Sequence, residues 1–165
     1  MTLRVGVLTV SDKGSVGERV DTAGPAVAAM IETLDASVVQ RAVVADERDQ
    51  ISAKLRAWAD DEHLDLILTT GGTGLAMRDV TPEATLDVAD REARGIAEAM
   101  RMVGRQSTPL ASLSRGVVVL RGPTLIVNLP GSEKGAKESL SAVLDLIPHA
   151  TQMLVGWTEH QSSGS

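Results

Sequence analysis

The chain contains no cysteine, no phenylalanine and no tyrosine, and only two tryptophans. Without cysteine there can be no disulfide, no thiolate zinc site and no cysteine nucleophile. The shortage of aromatics leaves little surface on which nucleic-acid bases could stack. The core must therefore be built from Val, Leu, Ile, Ala and Met. Positive charge is also in deficit, with 16 Lys and Arg against 22 Asp and Glu and a net charge of −6, which argues against a nucleic-acid partner. No apolar run approaches the length of a membrane span. Leu3 to Val10 is too short and too strand-like to be a signal peptide. The expectation is a soluble cytoplasmic protein without a membrane partner. The length, 165 residues, suits one domain with a sizeable core, expected over residues 1–158, with a polar and disordered tail over 159–165.

The chain is organised around Leu64-Asp65-Leu66-Ile67-Leu68-Thr69-Thr70-Gly71-Gly72-Thr73-Gly74. The apolar part reads as a buried strand. The glycines permit positive φ and, lacking Cβ, let the backbone approach a ligand closely. Arg78-Asp79-Val80-Thr81-Pro82-Glu83-Ala84 follows, and Thr81 then Pro82 reads as a hydroxyl N-cap with proline at the first helical position. Strand, glycine turn, charged loop and helix start in succession suit an anion site at the C-terminal edge of a parallel sheet.

The rest of the chain repeats this alternation. Leu3–Val10 and Ser37–Val44 read as strands, and Thr22–Leu34 as a helix with an apolar stripe of Ala26, Val27, Met30, Ile31 and Leu34. Asp46 follows the second strand and reads as an N-cap or first-turn carboxylate of a helix carrying Ile51, Leu55 and Trp58. A helix is expected from Thr81 to about Val88, another over Arg91–Val103, and an irregular connector over Gly104–Arg115. Val117–Leu120 and Leu125–Asn128 flank Arg121-Gly122-Pro123-Thr124 as a hairpin, which implies one antiparallel edge strand. A last amphipathic helix carries Ala136, Leu140, Val143, Leu144 and Ile147, and Pro148 kinks or restarts it. The predicted fold class is α/β, a three-layer α/β/α sandwich on a mostly parallel sheet.

Four strand ends then fall along one edge: Ser11-Asp12, Asp46, Gly71 to Asp79, and Asn128 to Ser132. The glycine turn matches neither common phosphate motif. Met77 stands where the dinucleotide pattern needs a third glycine, and no Gly-Lys-Ser or Gly-Lys-Thr occurs. Backbone N–H groups and helix N-termini can still hold phosphates. Arg78, Arg115 and Lys134 could neutralise them, and Asp46 and Asp79 could hold Mg²⁺ through oxygen. That set suits phosphoryl or nucleotidyl transfer. No histidine stands in these loops, which argues against an acyl hydrolase. The loops alone also allow a non-catalytic ligand-binding domain or an interaction domain.

Taken in order, Thr69 to Gly74, Arg78 to Ala84, Leu113-Ser114-Arg115 and Asn128-Leu129-Pro130-Gly131-Ser132 closely resemble the molybdopterin adenylyltransferase family, which includes bacterial Mog proteins, molybdenum cofactor biosynthesis protein B and the gephyrin G domain. Thr9-Val10-Ser11-Asp12 and the Asp46 segment match as well, so the resemblance covers roughly Leu3 to Trp157. It implies transfer of adenylyl from ATP to molybdopterin with Mg²⁺, usually in a homotrimer, and a product destined for a molybdenum-insertion protein. Carried over, Asp46 and Asp79 match the family's two important aspartates, near the reacting phosphates and the metal. Gly71, Gly72, Thr73 and Gly74 match the loop that cradles ligand. Ser11, Asp12, Arg78, Thr81, Pro82, Glu83, Ser114, Arg115, Asn128, Pro130, Gly131, Ser132 and Lys134 match the remaining pocket segments. Two alternatives stand beside the transferase reading: a pterin-binding protein of the protein B branch without turnover, and a trimeric scaffold domain.

Overall fold

The structure, a computed structural model, describes residues 1–162, and side chains through residue 156. The expected tail, 159–165, therefore lies outside the fully described residues.

The buried apolar runs form β1 (Leu3–Val10), β3 (Leu66–Thr70) and β6 (Thr124–Leu129) at the centre of a six-stranded sheet. β2 (Ala36–Val44) flanks β1, and β5 (Val118–Arg121) flanks β6. The order is β2-β1-β3-β6-β5-β4, where β4 is the two-residue strand Arg91–Glu92. β2, β1, β3 and β6 run parallel, so all four expected strand ends share one edge. The hairpin forms as expected, with β5 antiparallel to β6. β5 is not the edge, however, because Arg91 and Glu92 pair outside it with Leu120 and Val119.

Alternation along the strands divides the core into two layers, as the two-residue side-chain period of a strand requires. Val5, Val7, Leu66, Leu68 and Val127 face α2 (Ala23–Ile31), α5 (Arg94–Ser107), α6 (Glu133–Val143) and α7 (Ile147–Ser162). Leu8, Val10, Ile67 and Ile126 face α3 (Arg48–Asp60) and α4 (Thr81–Asp87), with Ile51, Leu55 and Trp58 beneath them. A four-residue helix, α1 (Asp12–Ser15), follows β1 directly and is capped by Ser11, whose hydroxyl accepts from the Gly14 N–H at 3.0 Å.

Several boundaries depart from expectation. The helix expected from Arg91 begins at Arg94, since ladder pairing claims the preceding residues. α5 then continues to Ser107 through the supposed connector, and a 3₁₀ turn, Pro109–Leu113, follows it. Thr108 starts this turn by accepting from the Leu110 N–H at 3.3 Å. α7 restarts the chain at Ile147 with Pro148 in its first turn, where a missing N–H leaves no hydrogen bond unmade. Among the described residues, no helix is long and apolar enough to cross a membrane.

Candidate functional site

At the shared strand edge the β3–α4 turn is set by its glycines. Gly71 and Gly72 take φ of +96° and +69°, conformations that side chains resist. A Cβ on Gly71 would lie 2.3 Å from the Val10 carbonyl oxygen, and one on Gly72 would lie 2.2 Å from the Thr81 hydroxyl. The hydroxyl itself donates to the Gly71 carbonyl at 2.9 Å. Thr81 is therefore not the N-cap expected of it. Val80 occupies that position without a side-chain bond, and Thr81 is the first helical residue, fully buried. Its hydroxyl closes the glycine turn onto α4. Pro82 lies in the first turn, one position later than the first helical residue expected of it.

Asp46 is also not a cap. α3 begins at Arg48 with Glu47 at its N-cap position. Asp46 Oδ2 instead accepts the Asp12 N–H at 2.8 Å, and Asp12 Oδ1 accepts the Asp46 N–H at 3.0 Å. Burial pushes the Asp46 carboxyl above the usual aspartate range, and the nearby Asp12 and Asp79 carboxylates add to that effect. The Arg78 hydrogen bond holds Asp12 below it. Asp79 Oδ2 accepts the Ala76 N–H at 3.0 Å.

Asp12, Asp46 and Asp79 line a cavity of about 500 Å³. Ser11, Asp12, Asp46, Gly71, Gly72, Asp79, Gly131 and Ser132 meet there as the sequence predicts. Thr9, Thr70 and Lys13, which lie in or beside the matched segments, were not named as site residues, and Asp21 and Arg19 were missed. Thr70 donates to Thr9 at 3.4 Å, Thr9 donates to Asp21 Oδ2 at 2.6 Å, and Asp21 Oδ1 accepts the Gly24 N–H at 2.9 Å. The available signal was an aspartate standing just before α2, in Asp21-Thr22-Ala23-Gly24-Pro25.

A second cavity, about 280 Å³, opens beyond the glycine turn between α5, the 3₁₀ turn and α6. Thr73, Gly74, Ser114, Asn128 and Pro130 line it, with Met100, Leu110 and Leu113 supplying apolar wall. Ser132 borders both cavities. Asn128 is buried, and its amide group is committed to the protein. Its Nδ2 donates to Thr69 and Thr85 hydroxyls at 3.0 Å each, and its Oδ1 accepts the Val117 N–H at 3.2 Å.

Arg78, Thr81, Pro82, Glu83, Arg115 and Lys134 line neither cavity. Arg115 pairs with Glu83 Oε1 and donates to the Gly74 and Asp79 carbonyls at 2.8 and 2.6 Å, stapling the 74–79 loop. Burial opposes ionisation of Glu83, but Arg115 outweighs it and holds that carboxyl low. Lys134 is largely exposed and sits 4.0 Å from Glu138. The cations that do line the first cavity are Lys13 and Arg19. Among the described residues no histidine lines either cavity, and no cluster of three or more His, Cys, Asp or Glu forms a ready metal cage.

The sequence matches the family described as probable molybdopterin binding domain over residues 6–149. It is 40% identical over 157 residues to the molybdopterin adenylyltransferase of Helicobacter pylori strain J99, covering 94% of this chain and 89% of that protein. It is 43% identical over 154 residues to the molybdenum cofactor synthesis protein cinnamon of Drosophila melanogaster, covering 93% of this chain but only 26% of that longer protein. The crystal structure of the molybdopterin biosynthesis enzyme MoaB from Thermus thermophilus superposes with a TM-score of 0.90 at 56% identity, covering 94% of this chain and 98% of that one. With a family match across most of its length and a sheet edge built as its motifs require, the chain belongs to the molybdopterin-binding domain family.

Proposed function

We infer that the chain is a molybdopterin adenylyltransferase of molybdenum cofactor biosynthesis. An oxygen of the terminal phosphate of molybdopterin forms a bond to the α-phosphorus of ATP, the bond from that phosphorus to the β-phosphate oxygen breaks, and pyrophosphate leaves. The observation that carries this reading is 40% identity, over 94% of the chain, to a protein named for that activity. The adjoining cavities are consistent with two substrates meeting at Ser132. The polar one, with its glycine turn, Lys13 and Arg19, suits phosphates, and the one walled by Met100, Leu110 and Leu113 suits a flat ring system.

A phosphate monoester is largely ionised at neutral pH, so the nucleophile needs no strong base. The absence of histidine from both cavities among the described residues is compatible with that. The difficulty is bringing two anions together, which calls for preorganised N–H groups and cations. Mg²⁺ fits the donor set: Asp46 and Asp79 each have one oxygen held by a backbone N–H and one without a donor among the described residues. Two carboxylates plus substrate phosphates is a usual Mg²⁺ arrangement, and when bound the ion supplies charge neutralisation. Asp46 and Asp79 would hold it, and Gly71 and Gly72, without side chains, would leave room for phosphates. The same reading carries a cytoplasmic homotrimer that passes its product to a molybdenum-inserting protein.

The test mixes purified protein with molybdopterin and Mg-ATP and measures pyrophosphate and adenylyl-molybdopterin. Equimolar appearance of both is expected. Pterin binding without pyrophosphate would select a binding protein, and no pterin binding would select a scaffold.

A further inference from the structure

Arg78 is the most heavily engaged side chain beside the site, yet it does not line the cavity. Its Nε and Nη2 grip both oxygens of Asp12 at 2.6 and 2.9 Å. The same Nη2 reaches the Asp46 carbonyl at 3.2 Å and Glu47 Oε1 at 2.9 Å. One planar guanidinium therefore ties the β1–α1 turn and the β2–α3 turn to the loop that carries Asp79 at the next position.

We propose that Arg78 is a positioning residue, which sets Asp46 opposite Asp79 by clamping Asp12 and does not itself bind substrate. The path is short and continuous. Arg78 fixes the Asp12 carboxylate, and Asp12 and Asp46 exchange N–H to carboxylate bonds at 2.8 and 3.0 Å. Displacing the Asp12 carboxylate thus loosens the Asp46 backbone as well as its side chain. A lysine cannot replace this clamp, since a point charge lacks the fork that meets two oxygens at once. The side chains of Arg78, Asp12 and Glu47 are 58%, 41% and 52% exposed, so the ion pairs contribute little to global stability. Their consequence is geometric: a carboxylate that must meet phosphates and a metal is held by a group that touches neither. This role rests on the adenylyl-transfer reading for its kinetic consequence, but the clamp itself can be tested without it.

The experiment compares wild type with Arg78→Gln, Arg78→Lys, Asp12→Asn and the Arg78→Gln/Asp12→Asn double variant. Pyrophosphate release should fall roughly 10- to 100-fold in kcat for each single variant, the usual loss when an outer-shell partner is removed. KM for ATP should stay nearly constant, and Arg78→Lys should recover little. The double variant should be no worse than the poorer single one, because both act through one contact. Independently, amide hydrogen exchange in the substrate-free protein should accelerate at Asp12 and Asp46 in Arg78→Gln. It should not change at Gly71, whose N–H is bonded to the Leu129 carbonyl at 3.1 Å. Additive losses, a raised KM with unchanged kcat, or unmoved exchange at Asp12 and Asp46 would overturn the proposal. If wild type releases no pyrophosphate, the adenylyl-transfer reading fails and the exchange result alone decides the clamp.

Discussion

Asp12 and Asp46 each bind the other's main chain, Asp12 N–H to Asp46 Oδ2 at 2.8 Å and Asp46 N–H to Asp12 Oδ1 at 3.0 Å. Two acids are thereby held side by side, and a third, Asp79, adds its charge to the raised Asp46 carboxyl. The folded state holds the Asp46 proton to higher pH than the unfolded chain, whose value is near 3.8. Stability from this group therefore falls as pH rises from the ordinary aspartate range through the folded value, and stays lower above it. In metal-free protein, Asp46→Asn should raise the thermal midpoint at neutral pH by about 1–3 °C, a small gain because the group is partly solvated. The difference should vanish near about pH 3, where both forms are neutral. Adenylyl transfer should be lost in the same variant; a lower midpoint at neutral pH would contradict the electrostatic account.

Asp79→Asn should separate binding from chemistry. The asparagine oxygen can still accept the Ala76 N–H, so the loop keeps its shape. The charge proposed to face the phosphates and the metal is removed. Molybdopterin affinity, followed by fluorescence titration, should persist while pyrophosphate release is abolished. Unchanged turnover would sink the assigned role.

Gly72 and Thr81 should couple in a double-mutant cycle. Gly72→Ala adds φ strain at +69° and a Cβ 2.2 Å from the Thr81 hydroxyl. It should cost about 1–3 kcal/mol or more in urea unfolding. Thr81→Ala alone loses one hydrogen bond, about 1 kcal/mol. The double variant removes the clash and should be more stable than the sum of the two predicts. Strict additivity would show that backbone strain alone sets the cost.

Glu83 should contribute at neutral pH and less in acid. Burial works against its charge, but the Arg115 pair holds its folded value below the ordinary 4.5. Stability from the pair is complete above that ordinary value and is lost as pH falls through the folded one. Glu83→Gln should destabilise the protein by about 0.5–1 kcal/mol at neutral pH, discounted for solvent screening, and by progressively less at an acid pH, as the folded carboxyl becomes protonated. Urea unfolding at the two pH values checks this.

Much of the framework was legible because it is local. The unbroken apolar runs of β1 and β3, the alternation of βα units and the Gly71-Gly72 turn all follow from spacing within a few residues. Parallel pairing of β2, β1, β3 and β6 then forces their following loops to one edge, so Ser11, Asp46, Gly71 and Ser132 were bound to converge. β4 was not legible, because two polar residues carry no periodicity and pair only once β5 is in place.

Sequence by itself thus determined the α/β sandwich, the edge at which its loops meet, and the family to which the motifs belong. Only the tertiary structure decided how the charges are paired. Arg78 reads as a phosphate ligand until Asp12, 66 residues away, takes both arms of its fork. Arg115 reads the same way until Glu83, 32 residues away, pairs with it. Thr81 reads as a cap until the Gly71 carbonyl takes its hydroxyl. The division into two cavities, and the presence of Lys13, Arg19 and Asp21 in the first, belong to the same level. The physical reason is that periodicity and turn chemistry act over one or two turns of chain, whereas a hydrogen bond or ion pair goes to whichever group folding brings within about 3 Å.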